Sequence, residues 1–98
     1  MNPKVKWDHL ARLQFKEAIS YIRKDSFANS EKVRQGILEA SRALAAHPKK
    51  HPADKDKINN DGSYRVFVLY RYRISYKIEN SEITILRLRH SSMDQQEY

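Results

Sequence analysis

Cysteine is absent from the 98-residue chain, which excludes disulfides, thiolate metal sites and cysteine nucleophiles. The two glycines, Gly36 and Gly62, are too few for a glycine-rich phosphate loop, and no serine-nucleophile motif occurs. No apolar run approaches the roughly 20 residues that cross a bilayer. Met1 to Lys6 carries no signal-peptide core, so a cytoplasmic location with no membrane partner is the expectation. His47 and His51 are four residues apart, but Pro48 lies between them and prevents one helix face from holding both. No metal and no other cofactor is expected.

What is abundant is positive charge. Nineteen Lys and Arg against 12 Asp and Glu leave a net charge of +7. A surplus of that size on a small domain suggests a polyanionic partner: nucleic acid, a ribosome or an acidic protein. Hydrophobic residues make up 40% and charged residues 32%, a balance that suits a folded chain. The length fits one domain, residues 1–98.

Val5 and Trp7 alternate with Lys4 and Lys6, the period of a short strand. Asp8 is placed to cap a helix, because its carboxylate can accept from the free amides of a first turn. Ala11, Phe15, Ala18 and Ile22 then fall on one helical face, with Leu10 and Ile19 beside it. Lys24 to Phe27 breaks the pattern, and Ser26 can cap a second helix carrying Val33, Ile37, Ala40 and Leu44, which Pro48 stops. The two form an antiparallel hairpin. Gly36, inside the second helix, costs about 1 kcal/mol relative to alanine. It is either a point of close helix approach or simply tolerated.

Pro48 to Gly62 (PKKHPADKDKINNDG) is lysine-rich and aperiodic, a long loop of the kind that is often functional or disordered. Asn60-Asp61-Gly62 is turn chemistry. Three strands follow. In the first, Tyr64, Val66 and Val68 alternate with Arg65, Phe67 and Leu69, and apolar residues on both faces suggest a strand well inside the sheet. In the second, Tyr72, Ile74, Tyr76 and Ile78 alternate with Arg71, Arg73, Ser75 and Lys77. Tyr72 and Tyr76 are expected in the core. The third holds Ile83, Ile85, Leu86 and Leu88 and ends in Arg87, Arg89 and His90. The order predicts an α+β domain: an N-terminal strand, an antiparallel helical hairpin and a three-stranded antiparallel meander (βααβββ), in two layers with the helices on one sheet face.

On that fold the cations gather. Arg71, Arg73 and Lys77 share one face of a strand, Arg87 and Arg89 one face of another, with Arg65 nearby. The helices cover one side, so these residues are expected on the open one. Glu79, Glu82 and Asp61 are too few to pair with them. Several guanidinium forks on one open face make a phosphate-binding surface by chemistry, with an ordinary solvated face of cross-strand ion pairs as the alternative, so Arg65, Arg71, Lys77, Arg87 and Arg89 are expected binding residues. His90, after the last strand, is a general acid or base by chemistry or a structural hydrogen-bonding residue.

The segment Ile19 to Pro48 (ISYIRKDSFANSEKVRQGILEASRALAAHP) resembles the helical hairpin of ParE-type toxins. SYRVFVLYRYRISYKI, Ser63 to Ile78, resembles the strand pair of the RelE/ParE superfamily with its Tyr-Arg-Ile-x-Tyr core. ITILRLRH resembles that superfamily's last strand, which ends in histidine. The resemblance spans nearly the whole chain in the right order. It implies the toxin of a bacterial type II toxin–antitoxin pair, a growth inhibitor held in a hetero-oligomer by a cognate antitoxin whose flexible segment wraps it. Two targets follow from the two branches: DNA gyrase for ParE-like members, which cut nothing themselves, or mRNA on the ribosome for RelE-like endoribonucleases. In the second case Arg73, His90 and Tyr98 would carry catalysis. Phe67, where ribonucleolytic members often carry lysine, departs from that pattern. So does Ser91-Ser92-Met93, where many members of both branches carry arginine. The longer helical hairpin and the His90 to Asp94 spacing favour ParE. A basic nucleic-acid-binding module without toxicity is the reading from charge alone.

Overall fold

A computed structural model describes residues 3–92. Its elements run β1 (Lys4–Trp7), α1 (His9–Asp25), α2 (Phe27–Ala43), β2 (Tyr64–Leu69), β3 (Tyr72–Glu79) and β4 (Glu82–His90). This is the expected α+β order. Asp8 caps α1 by accepting from the Leu10 amide, and Ser26 caps α2 by accepting from the Asn29 amide. Ser26 also closes α1, donating its own amide to the Ile22 carbonyl, so one residue makes the whole break. The second helix ends at Ala43, earlier than Pro48. Leu44, Ala45 and Ala46 tighten into i to i−3 bonds before the proline is reached.

The sheet order is β1-β4-β3-β2. β2, β3 and β4 form the expected antiparallel meander, and β1 lies parallel to β4, with Val5 opposite Ile83 and Trp7 opposite Ile85. β2 is therefore an edge strand, not an interior one. Its apolar residues on both faces have another cause: the loop after α2 folds back along its outer edge, where Ala53 bridges to Arg65, the Asp54 amide donates to the Tyr64 carbonyl and the Val66 amide to the Pro52 carbonyl.

One face of the sheet packs on the helices. Phe67, Tyr72, Ile74, Tyr76, Ile83, Ile85 and Leu88 form a single core with Ala11, Ala18, Ile19, Val33, Ile37 and Leu44. The register between β3 and β4 shifts between Ser75 and Tyr76, where Ser75 faces Arg87 but Tyr76 faces Ile85. Leu86 is the extra residue, a β-bulge. It reverses the alternation of β4, so Ile83 and Ile85 before it and Leu88 after it all reach the core. Arg87 and Arg89, which would otherwise have pointed at the helices, oppose Ser75 and Arg73 instead.

The β2–β3 connection is a two-residue turn of Tyr70 and Arg71, with φ 53° and 67°. That is the type I′ geometry favoured by strand twist, normally filled by Asn-Gly. Each non-glycine residue in the left-handed region costs about 1–2 kcal/mol. Gly36 meets this turn: a Cβ built there would lie 2.5 Å from Cε2 and 2.9 Å from the hydroxyl of Tyr70. The close approach at Gly36 is thus between α2 and the Tyr70 ring, not between helices.

Candidate functional site

The cations expected on the open face divide three ways. Arg73 and Lys77 do lie on it, alternating with the core residues of β3. Arg73 is held by two carboxylates of the loop, Asp54 at 2.7 Å and Asp56 at 3.2 Å, and its second guanidinium nitrogen lies 3.4 Å from the Ser75 hydroxyl. The Asp54 side chain is 0% exposed and that of Arg73 18%. This is a buried ion pair, and a bound phosphate would have to displace it. Lys77 pairs with Glu79 at 2.6 Å and lies over the Tyr64 ring. Arg87 lies 3.7 Å from Asp8 and donates to the Leu86 carbonyl. Lys6 pairs with Glu82 at 2.8 Å; this partner holds its ammonium group charged to higher pH than usual, chiefly through the hydrogen bond. The shortage of acidic partners read from the sequence is thereby corrected. Asp54, Asp56 and Asp8 come from a loop and a helix cap that strand periodicity does not bring near β3 and β4.

Arg65 is not on the open face. It opposes Tyr76 across the β2–β3 ladder, which puts it on the helix side. There it donates to the carbonyls of Gly62 and His51 at 2.9 and 2.8 Å. Arg71 is not in β3; it forms the turn before it and is exposed. Arg65 therefore fastens the loop after α2. Tyr76 helps by donating to the Pro48 carbonyl at 2.7 Å, and His51 stacks on Phe67 at 4.6 Å. Asn60 adds two amide donors, to Asp54 and Tyr64. Burial pushes the Tyr76 hydroxyl up, and burial followed by the charge of Lys50 pushes the His51 imidazole down. The loop is thus folded onto the sheet edge by its own sequence.

His90 opposes Tyr72 in the register and meets its ring edge-on at 5.4 Å. Tyr72 belongs to the core, so His90 lies on the helix side, on the opposite face from Arg73. Its Nδ1 accepts from the Ser92 amide at 3.2 Å and lies 2.7 Å from the Ser92 hydroxyl. The amide bond fixes Nδ1 as an acceptor and leaves any proton on Nε2. Tyr98 and Asp94 lie outside the described residues. Arg73 and His90, two of the three residues expected to act together in RNA cleavage, are not brought into one site.

What the helix side does contain is an open groove of about 870 Å³ between α1 and the adjoining ends of β3 and β4. Leu10, Leu13 and Leu88 line its apolar part, and Tyr21, Lys24 and His90 its polar part. Tyr21 is 74% exposed and Leu13 44%, large apolar surface for a small domain to leave in water. Sequence reasoning missed this site. The signal was a second stripe on α1, from Leu10 through Gln14, Glu17 and Tyr21 to Lys24 at spacings of four, three, four and three. It is masked by the stronger core stripe beside it.

One comparison identifies the family and another the fold. The family model described as the ParE toxin of type II toxin–antitoxin systems, parDE, matches residues 5–95. Among solved structures, the chromosomal ParDE toxin–antitoxin system from P. aeruginosa has a chain that superposes with a TM-score of 0.72 at 18% identity, covering 90% of this chain and 95% of that one. The YoeB dimer from Staphylococcus aureus superposes with a TM-score of 0.55 at 14% identity, covering 91% of this chain and 97% of that one. These structural likenesses show the shared fold. No curated protein matches the sequence. The chain belongs to the ParE toxin family of type II toxin–antitoxin systems.

Proposed function

We propose that this toxin arrests growth by docking on DNA gyrase and carries out no RNA cleavage of its own. The observation that carries the reading is the separation of Arg73 from His90. Cleavage without a metal needs a base, an acid and cations around one phosphate. Here the arginine is closed by Asp54 and Asp56 on one sheet face, and the histidine sits against Tyr72 on the other. A protein that inhibits by docking needs no such constellation.

The cognate antitoxin is the second partner, and the groove between α1 and the sheet is its seat in this reading. An amphipathic segment would lay apolar side chains over Leu10, Leu13 and Leu88. Acidic residues of the same segment would then meet Lys24 at the polar end. The test is a supercoiling assay with purified gyrase and this chain. Loss of supercoiling that the antitoxin restores is the expected result. Unimpaired supercoiling, together with cleavage of ribosome-bound mRNA, would replace the reading with the ribonuclease one.

A further inference from the structure

The β2–β3 turn departs from what its geometry favours. Tyr70 and Arg71 occupy the two left-handed positions, with φ 53° and 67°, where Asn and Gly sit at little cost. Three features hold them there. Gly36 clears space on α2 for the Cε2 to hydroxyl edge of Tyr70. The Ser91 amide donates to the Arg71 carbonyl at 2.7 Å. Leu69 and Tyr72 close the ladder directly beneath the turn. Strain that neighbouring structure over-determines in this way points to a use for the residues that bear it.

The exposed chemistry of the turn agrees. Tyr70 is 40% exposed. Arg71 is exposed and, among the described residues, has no carboxylate within 4 Å. Arg73, Lys77 and Arg87 on the same sheet do have one.

We propose that this turn is a preformed docking tip. Arg71 reaches a carboxylate cluster on the protein that the toxin inhibits, and the exposed edge of Tyr70 packs beside that contact. The proposal rests on the reading that the target is a protein. An exposed guanidinium next in sequence to a part-exposed tyrosine has the residue types of a protein–protein hot spot. Nucleic acid takes a row of free cations, and Arg73, Lys77 and Arg87 of the same sheet are already paired with carboxylates. Holding the tip rigid before contact reduces the ordering cost of docking. The tip adjoins the end of the groove along α1, whose lining includes Tyr72, His90 and Ser92 but neither Tyr70 nor Arg71.

The test uses Arg71→Gly, which places glycine at the position the turn prefers, and Arg71→Asn, which keeps a side chain that tolerates left-handed φ. Three quantities are compared with wild type: growth arrest on induction, affinity for the product of the adjacent gene, and affinity for a labelled 20-nucleotide RNA. Melting temperature is recorded for each variant. The expected result is a melting temperature unchanged or raised, arrest weakened at least tenfold, and both affinities within about twofold. Undiminished arrest by both variants overturns the tip, as does a wild-type chain that arrests nothing. A parallel loss of affinity for the adjacent gene product, or for the RNA, also overturns it, because the contact would then belong to that partner. Failure of the gyrase reading shows separately, as wild-type arrest that leaves supercoiling intact.

Discussion

Replacing Gly36 by alanine tests how tightly the β2–β3 turn is locked to α2. In an exposed helix interior this change stabilises a protein by about 1 kcal/mol. Here the new Cβ would stand 2.5 Å from Cε2 of Tyr70, so the ring must leave. Tyr70 is 40% exposed, and swinging it into water re-exposes on the order of 100 Å² of apolar surface. At roughly 25 cal/mol per Å² that forfeits about 2.5 kcal/mol as an upper figure. The net expectation for Gly36→Ala is a loss of about 1 kcal/mol, or roughly 4–8 °C for a domain of this size. In a Tyr70→Ala background the obstruction is gone, and the same change should stabilise by about 1 kcal/mol. The cycle therefore predicts a coupling of about 2 kcal/mol between residues 36 and 70, measurable by urea unfolding of the four proteins. Stabilisation of the otherwise wild-type chain by Gly36→Ala, with no coupling, would refute the packing argument.

Other expectations follow from the same contacts. Asp54→Ala leaves Arg73 with only Asp56 at the protein surface and should cost about 2–4 kcal/mol in urea unfolding; a cost near zero would show that the pair does not fasten the loop. His90→Ala should leave growth arrest intact and lower stability by no more than about 1 kcal/mol, whereas a folded but harmless His90→Ala protein would support a catalytic histidine. Leu13→Glu, on exposed surface, should weaken binding of the adjacent gene product at least tenfold with an unchanged melting temperature. Unchanged binding would move the antitoxin away from the groove. His51 is pushed below its ordinary pKa by burial, so the unfolded chain takes up that proton first. Its contribution to stability is complete above the unfolded value of about 6.5 and is lost as pH falls from there through the folded value. His51→Gln should therefore flatten the fall in melting temperature between about pH 7 and pH 5, and an unaltered slope would count against a buried neutral ring.

Local chemistry made much of the fold legible. The Asp8 and Ser26 caps, the two helical stripes and the period-two strands are written in neighbouring residues, and the structure has them where the sequence predicts. What stayed illegible depends on long-range pairing. β1 reads as a strand, but nothing in Lys4 to Trp7 says that it will lie parallel to β4. β2 reads as interior because its apolar faces look alike, whether the covering comes from a strand or from a loop. Arg73 reads as a free cation because its partner Asp54 is 19 residues away in a segment without periodicity. The reversal of β4 was closer to the surface: Ile83 and Ile85 share one parity and Leu86 and Leu88 the other, the trace that a bulge leaves in an alternating pattern. For the site, residue types were legible and faces were not. The split of Arg65, Arg73 and His90 between two sides of the sheet follows from register, which the sequence does not state.

Docking on gyrase and cleavage of mRNA differ in what stops first when this chain is made without its antitoxin. Pulse labelling during the first minutes of induction, following thymidine and amino-acid incorporation in parallel, measures that directly. If the toxin docks on gyrase, thymidine incorporation fails first and an Arg73→Gln, His90→Ala double variant behaves as wild type wherever it folds. Collapse of amino-acid incorporation first, abolished by the same double variant in its folded form, would contradict docking on gyrase.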